Sequence, residues 1–226
     1  MRIGCVPYGH AKPFAGAWLE QSPVWDHPKE LARQLWQGEL DLALVPVWEV
    51  LTRPGSQVLD GVAIGSRGPV RSVGVFHDLP LETCRSIRLT PHSVTSVRLW
   101  KLIAAQRGLA LREDPQGEAQ LMIGDEALEE WNRRNGAGVL DLGEAWTEWT
   151  GKPFVFGVWA LGPKVEIPRG KLDRFRRHVW TESIGVRAWR WTKEKRSISR
   201  AVSAISWERK KKRVWRSLGF DPVCHR

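Results

Sequence analysis

Membrane-spanning runs, disulfide frameworks and the common catalytic signatures are all missing from this sequence. No apolar stretch approaches the roughly 18 residues that cross a bilayer, and 27% of the residues are charged. The start, Met1-Arg2-Ile3-Gly4-Cys5, has neither the long apolar segment nor the cleavage site of an export signal. Three cysteines, Cys5, Cys84 and Cys224, are too few and too far apart for a disulfide scaffold or a paired-cysteine zinc motif. There is no His-x-x-x-His, no Gly-rich phosphate loop and no Gly-x-Ser-x-Gly elbow. These absences predict a reduced, cytoplasmic protein without a membrane partner. Tyrosine occurs once, against fourteen tryptophans.

What is present is a chain of 226 residues, 42% hydrophobic, enough for one large domain or two small lobes. The net charge of +10 is unevenly placed. Residues 164–226 hold 19 Lys/Arg against 6 Asp/Glu, so the remaining 16 against 19 leave the body slightly acidic. Arg209-Lys210-Lys211-Lys212-Arg213, flanked by Trp207 and Trp215, has the residue types that grip phosphates and stack on bases. A basic run of five arises readily by chance, and the acidic body argues against nucleic acid as the partner.

Short apolar runs alternate with amphipathic stretches over the first 163 residues, the pattern of a layered α/β protein. Strands are expected at Ile3–Val6, Leu40–Val45, Val58–Ile64 and Val70–Phe76, with helices up to about Glu20 and over Pro28–Gln37. A second unit is expected from near Cys84. It has strands at Ser86–Thr90, Ala119–Ile123 and Val139–Leu142, and helices at Ser96–Arg107, Asp125–Arg133 and Glu144–Thr150. Phe154–Leu161 reads as an apolar strand returning to the first unit. Leu172–Trp180 and Trp207–Leu218 are possible helices without a clean apolar stripe.

Small hydroxyl residues and glycines gather where strands give way to helices, the place where ligands bind in open α/β sheets. Thr90-Pro91-His92-Ser93-Val94-Thr95-Ser96-Val97 brings three hydroxyls and free backbone N–H groups to a helix start. That suits a carboxylate or phosphate, although capping alone would explain the same residues. Ile123-Gly124-Asp125 has the same layout, with Asp125 equally suited to a cap or a hinge contact. Gly68-Pro69-Val70-Arg71-Ser72 puts a hydroxyl early in a strand, or simply makes a tight turn. His10, in Tyr8-Gly9-His10-Ala11-Lys12-Pro13, could exchange protons near neutral pH. Residue types and spacing therefore predict a two-unit α/β protein that binds a small anion.

Taken in order, these motifs resemble the chorismate dehydratase family of the futalosine route to menaquinone. The resemblance is carried by Ile3-Gly4-Cys5-Val6-Pro7-Tyr8, Ala11-Lys12-Pro13, Gly38-Glu39-Leu40-Asp41-Leu42-Ala43-Leu44-Val45-Pro46 and Asp60-Gly61-Val62-Ala63-Ile64. It continues through Gly68-Pro69-Val70-Arg71-Ser72-Val73, Ser93-Val94-Thr95-Ser96-Val97, Ile123-Gly124-Asp125-Glu126-Ala127-Leu128 and Asp141-Leu142-Gly143-Glu144-Ala145-Trp146. The last stretch runs from Thr150-Gly151-Lys152-Pro153-Phe154-Val155-Phe156 to Trp159.

The resemblance implies a two-lobed, periplasmic-binding-protein-like (type II) fold with the ligand in the cleft. Lobe one would be residues 1–84 plus 154–171, lobe two 85–153, and 172–226 a basic, Trp-rich tail packed unlike the family's closing helices. It implies loss of water from chorismate to give 3-[(1-carboxyvinyl)oxy]benzoate, without metal or organic cofactor. The substrate's enolpyruvyl carboxylate would serve as base. Residue by residue, it implies substrate binding by Ser72, Ser93, Thr95, Ser96, Gly124 and Asp125. His10 stands where the family usually has asparagine, and would act there as a neutral donor. The sister enzyme dihydroxynaphthoate synthase shares the fold, but its return strand begins Pro-hydrophobic-Pro-Leu-Gly, unlike Pro153-Phe154-Val155-Phe156 here. A non-catalytic anion-binding protein of the same fold is the other alternative.

Overall fold

Five apolar residues in succession, Leu42–Pro46, form a strand (β3) buried along its whole length, and the first sheet is assembled around it. The computed structural model describes residues 1–11, 14, 22–163 and 165–182. The expected helix up to Glu20, apart from Phe14, and the basic segment from residue 183 onward lie outside the described residues. On one side of β3 runs β1 (Ile3–Cys5), parallel to it, with the short β2 (Val24–Trp25) at the edge. On the other side lie β10 (Phe154–Leu161) and β4 (Gln57–Ser66), each antiparallel to its neighbour, giving the order β2-β1-β3-β10-β4. Helix α1 (Pro28–Trp36) starts with proline, whose missing N–H costs nothing there. It buries Leu31, Ala32 and Leu35 against the sheet. Gly4 makes room for this packing, since a Cβ there would sit 2.6 Å from Leu40 Cδ1 and push the leucine aside. The five-residue α2 (Val47–Leu51) follows β3 directly.

The second sheet has the order β7-β6-β8-β5-β9, from Arg112–Glu113, Ser86–Arg88, Ala119–Ile123, Val73–His77 and Val139–Asp141 respectively. β6 is parallel to β7 and β8, whereas β5 is antiparallel to β8 and β9. Helix α3 (Val94–Arg107) buries Leu99, Trp100 and Ile103 and ends on Gly108 at φ 70°, a left-handed stop that favours glycine. Helices α4 (Gly124–Arg134) and α5 (Leu142–Thr150) complete this lobe. Each sheet has its own apolar core, and Tyr8 and Ile64 pack against both. The chain passes between the lobes twice, at residues 67–72 and 151–153.

Two expectations change here. Val73–His77 belongs to the second sheet, so the lobes divide between β4 and β5, ahead of the break expected near Cys84. An apolar strand pattern is the same whichever sheet receives it, and here pairing with β8 and β9 decides. The described start of the expected tail, residues 172–182, also packs more firmly than expected. Helix α6 (Arg169–Glu182) seats Phe175, fully buried, edge-on to Trp159 with ring centroids 5.4 Å apart. One aromatic anchor docks a helix that lacks a regular apolar stripe.

Truncating that anchor should be costly. Phe175→Ala is expected to destabilise the first lobe by about 3–5 kcal/mol, read as a lower urea midpoint with an unchanged slope. A loss below about 1 kcal/mol would mean that α6 is not docked.

Candidate active site

The buried carboxylate of Asp141 sets the position of the crossover that forms one wall of the cleft. Asp141 closes β9 and caps α5, its Oδ1 accepting from the N–H groups of Gly143 (2.9 Å) and Glu144 (3.0 Å). The same carboxylate accepts from the N–H of Val70 (3.0 and 3.1 Å) and of Arg71 (2.6 Å). Arg71 is thereby held at φ 62°, one of two non-glycine residues at positive φ among those described. That conformation costs an L-residue roughly 1–2 kcal/mol. Gly68, at φ 86°, donates its N–H to Thr147 Oγ1 at 2.8 Å. Gly143 must be glycine, since a Cβ would stand 2.8 Å from Gly68 O and run into Ser66 Oγ. The Gly68–Ser72 and Asp141–Trp146 motifs are therefore two halves of one joint.

That joint turns Val70, Ser72 and Val73 into a cleft of about 540 Å³, counting its open mouth. Val6, Leu44, Val45, Ile64 and Phe156 make it mostly apolar. The hydroxyl-bearing residues are Tyr8, Ser72, Ser93 and Ser96. Ser93 caps α3, its Oγ accepting from Ser96 N–H at 3.2 Å and lying 3.0 Å from Ser96 Oγ. Ser72 Oγ donates only a long bond, 3.5 Å, to Val70 O. Burial, and next the carboxylates of Asp125 and Glu126, push the Tyr8 phenol up to about 12. It stays protonated at any ordinary pH.

Helices α1, α3 and α4 all begin at this cleft, through Pro28, Ser93 and Gly124. Gly124 has φ 68°, and a Cβ there would come within 2.6 Å of the Tyr8 ring. The glycine lets the phenol lie against the start of α4. Among the described residues, no three His, Cys, Asp or Glu side chains converge as a metal site requires.

Ser72, Ser93, Ser96 and Gly124 thus share one cleft, as the sequence leads one to expect. Thr95 and Asp125, also expected to bind substrate, are held in contacts between the lobes instead of lining that cleft. Thr95 Oγ1 accepts from Trp48 N–H in the other lobe at 3.2 Å, satisfying a donor at the start of α2. Both Asp125 oxygens accept from Gly9 N–H at 3.1 Å, again across the lobes. The His10 backbone lies in the 3-10 turn Gly9–Ala11 that Asp125 anchors, while its side chain is outside the described part of the structure. Sequence reasoning overlooked Tyr8, although the chain's one tyrosine directly after a strand was a visible signal. It also overlooked the anchoring role of Asp141, signalled by an acidic residue two before a glycine and three before Glu144 at a helix start.

Residues 1–184 match a family described as menaquinone biosynthesis. The chain is 30% identical over 174 residues to a Thermus thermophilus protein named chorismate dehydratase, covering 66% of this chain and 64% of that one. It therefore spans slightly less than two thirds of that relative's length. Among solved structures, AF1704 from Archaeoglobus fulgidus is similar with a TM-score of 0.56 at 18% identity, covering 97% of this chain and 83% of that one. CA3427 of Candida albicans, described as having the generic periplasmic binding protein fold, gives 0.52 at 12% identity, covering 92% and 76%. The fold is of the periplasmic-binding-protein type.

Asp141→Ala leaves several buried N–H groups without a charged acceptor, each worth roughly 1.5–3 kcal/mol. A destabilisation of at least about 3 kcal/mol is expected in urea unfolding, with Asp141→Asn losing clearly less. Equal losses for the two variants would show that the carboxylate is not the anchor.

Proposed function

Because this chain belongs to the menaquinone biosynthesis family, we propose that it is a cytoplasmic chorismate dehydratase, a hydro-lyase converting chorismate to 3-[(1-carboxyvinyl)oxy]benzoate. The observation that carries this reading is the convergence of three helix N-termini on a mostly apolar cleft. Chorismate is a carbon ring bearing two carboxylates. Apolar walls suit the ring, and the positive ends of helices suit the carboxylates. The relative named chorismate dehydratase lends the specific reaction its support.

The reaction removes a proton from C3 and hydroxide from C4, and the ring becomes aromatic. Aromatisation provides the thermodynamic drive, so the protein's task is orientation and charge placement. The described residues lining the cleft supply hydroxyls and helix N-termini but no carboxylate or imidazole. That composition agrees with the substrate's own enolpyruvyl carboxylate acting as base. Ser96 and Ser72 would donate to the carboxylates, with Ser93 holding Ser96 in place through their 3.0 Å contact. The Tyr8 hydroxyl, kept protonated, is a further donor.

The test is ultraviolet monitoring of purified protein with chorismate, the product being identified by mass. Product should form, and should still form after exhaustive chelation. A folded sample giving none at high concentration would overturn the reading. Ser72→Ala and Ser96→Ala should each weaken binding about tenfold or more, as expected for one hydrogen bond to a charged group. Unchanged affinity in the double variant would move the site elsewhere.

A further inference from the structure

Two histidines with no part in that reading meet at the edge of the cleft. His27 stands at the N-terminus of α1 in the first lobe, and its side chain makes no capping bond. His92 directly precedes Ser93, the cap of α3, in the second lobe. Their half-buried rings are stacked across the lobes, centroids 3.7 Å apart and planes 18° apart. Pro28 and Ser93, their neighbours in the chain, line the cleft, as does Tyr8, whose hydroxyl is 3.4 Å from His27 Nδ1. Among the described residues, His27 Nε2 and both ring nitrogens of His92 have no hydrogen-bond partner.

Two imidazolium charges this close repel strongly, so the pair holds at most one proton. The positive ends of α1 and α3 disfavour even that one. Burial, and next His27, hold His92 below the ordinary histidine range, with Glu126 acting the other way. Carboxylates are the charged groups found beside the pair among the described residues. Asp26 Oδ1 accepts from His27 N–H at 2.7 Å, and Asp125 and Glu126 stand by Tyr8. His92 therefore gives up its extra proton more readily than an ordinary histidine, and an arriving anion alters the balance.

We propose that His27 and His92 form a proton-linked anion subsite at the cleft mouth. When a dicarboxylate enters, the pair takes up one proton from solvent, and the shared imidazolium holds the outer carboxylate through a free ring N–H. One ring comes from each lobe, so the same event fastens the lobes over the ligand. The proposal rests on the cleft binding a dicarboxylate, as set out above. It also has a consequence for the free protein. His92 binds a proton less readily folded than unfolded, so its contribution to stability is complete above the unfolded value and is lost as pH falls below about 6.5. A dicarboxylate should reverse that loss.

The experiment is calorimetric titration of the full chain with the product 3-[(1-carboxyvinyl)oxy]benzoate, which is not consumed. It is run from pH 6 to 8 in two buffers of different ionisation enthalpy. About one proton should be taken up per ligand at neutral pH, with affinity falling up to tenfold per pH unit above it. In His92→Gln and His27→Gln, uptake should vanish and affinity should become flat with pH, weaker by tenfold or more at pH 6. Ser96→Ala should weaken binding at every pH yet leave uptake in place. Nitrogen-15 histidine spectra of the unaltered protein, recorded with and without ligand, should show one imidazole becoming imidazolium. They need no variant to fold. Binding without proton uptake, or variants that lose affinity equally at all pH, would overturn the proposal and leave the dehydratase reading standing. Failure of both chorismate and the product to bind would overturn both.

Discussion

One buried carboxylate, that of Asp141, holds together the parts on which the cleft depends. It ends β9, starts α5 and captures the N–H groups of Val70 and Arg71 on the crossover between lobes. Taking a carboxylate out of water is costly unless donors are already aimed at it. Here the helix N-terminus and the turn provide them together, and charge-assisted bonds of this kind are stronger than neutral ones. The same bonds keep Arg71 in a left-handed conformation that it would not otherwise adopt. Remove the carboxylate, and the crossover keeps only the Gly68–Thr147 and Gly124–Ser72 bonds at its two ends to present Ser72 to the cleft.

Polar contacts across the lobes follow a common pattern. Asp125 holds Gly9, Thr95 holds Trp48, and His27 stacks on His92, each linking a helix start or turn in one lobe to its counterpart in the other. Helix N-termini leave backbone donors without intrahelical partners, and two lobes meeting at such ends must satisfy them mutually or with a ligand. Thr95 does the former. At the cleft the N–H groups of Ser96 and Gly124 are met within its own wall, by Ser93 Oγ at 3.2 Å and Ser72 O at 2.8 Å.

An elimination driven by aromatisation asks little of a protein in acid–base strength and much in placement. A cleft of hydroxyls, helix ends and apolar walls matches that demand. The Tyr8 ring illustrates how closely the surroundings are set. Glycine at 124 allows it to lie on α4, and burial, helped by two nearby carboxylates, keeps its phenol protonated. Small changes in backbone bulk would therefore move a polar group in the site without touching any side chain that meets the ligand.

Much of this was legible from residue order alone. The apolar runs Leu40–Val45 and Phe154–Leu161 announced strands, and Gly108 marked the end of the helix expected from Ser96, because these signals are local; the structure starts that strand at Leu42 and that helix at Val94. The clustering of Ser72, Ser93, Ser96 and Gly124 in one cleft was also foreseeable, since strand-to-helix junctions collect at one end of a sheet. Side-chain direction was not. Thr95 and Ser96 are adjacent, yet a helix turns successive residues about 100° apart, sending one to the other lobe and one to the cleft. Nor could strand patterning say which sheet would take β5, or spacing reveal that His27 and His92, far apart in the chain, would stack. Local sequence determined the elements and their caps. Contacts between distant segments, which depend on how whole lobes pack, decided which of those residues face the cleft and which join the lobes.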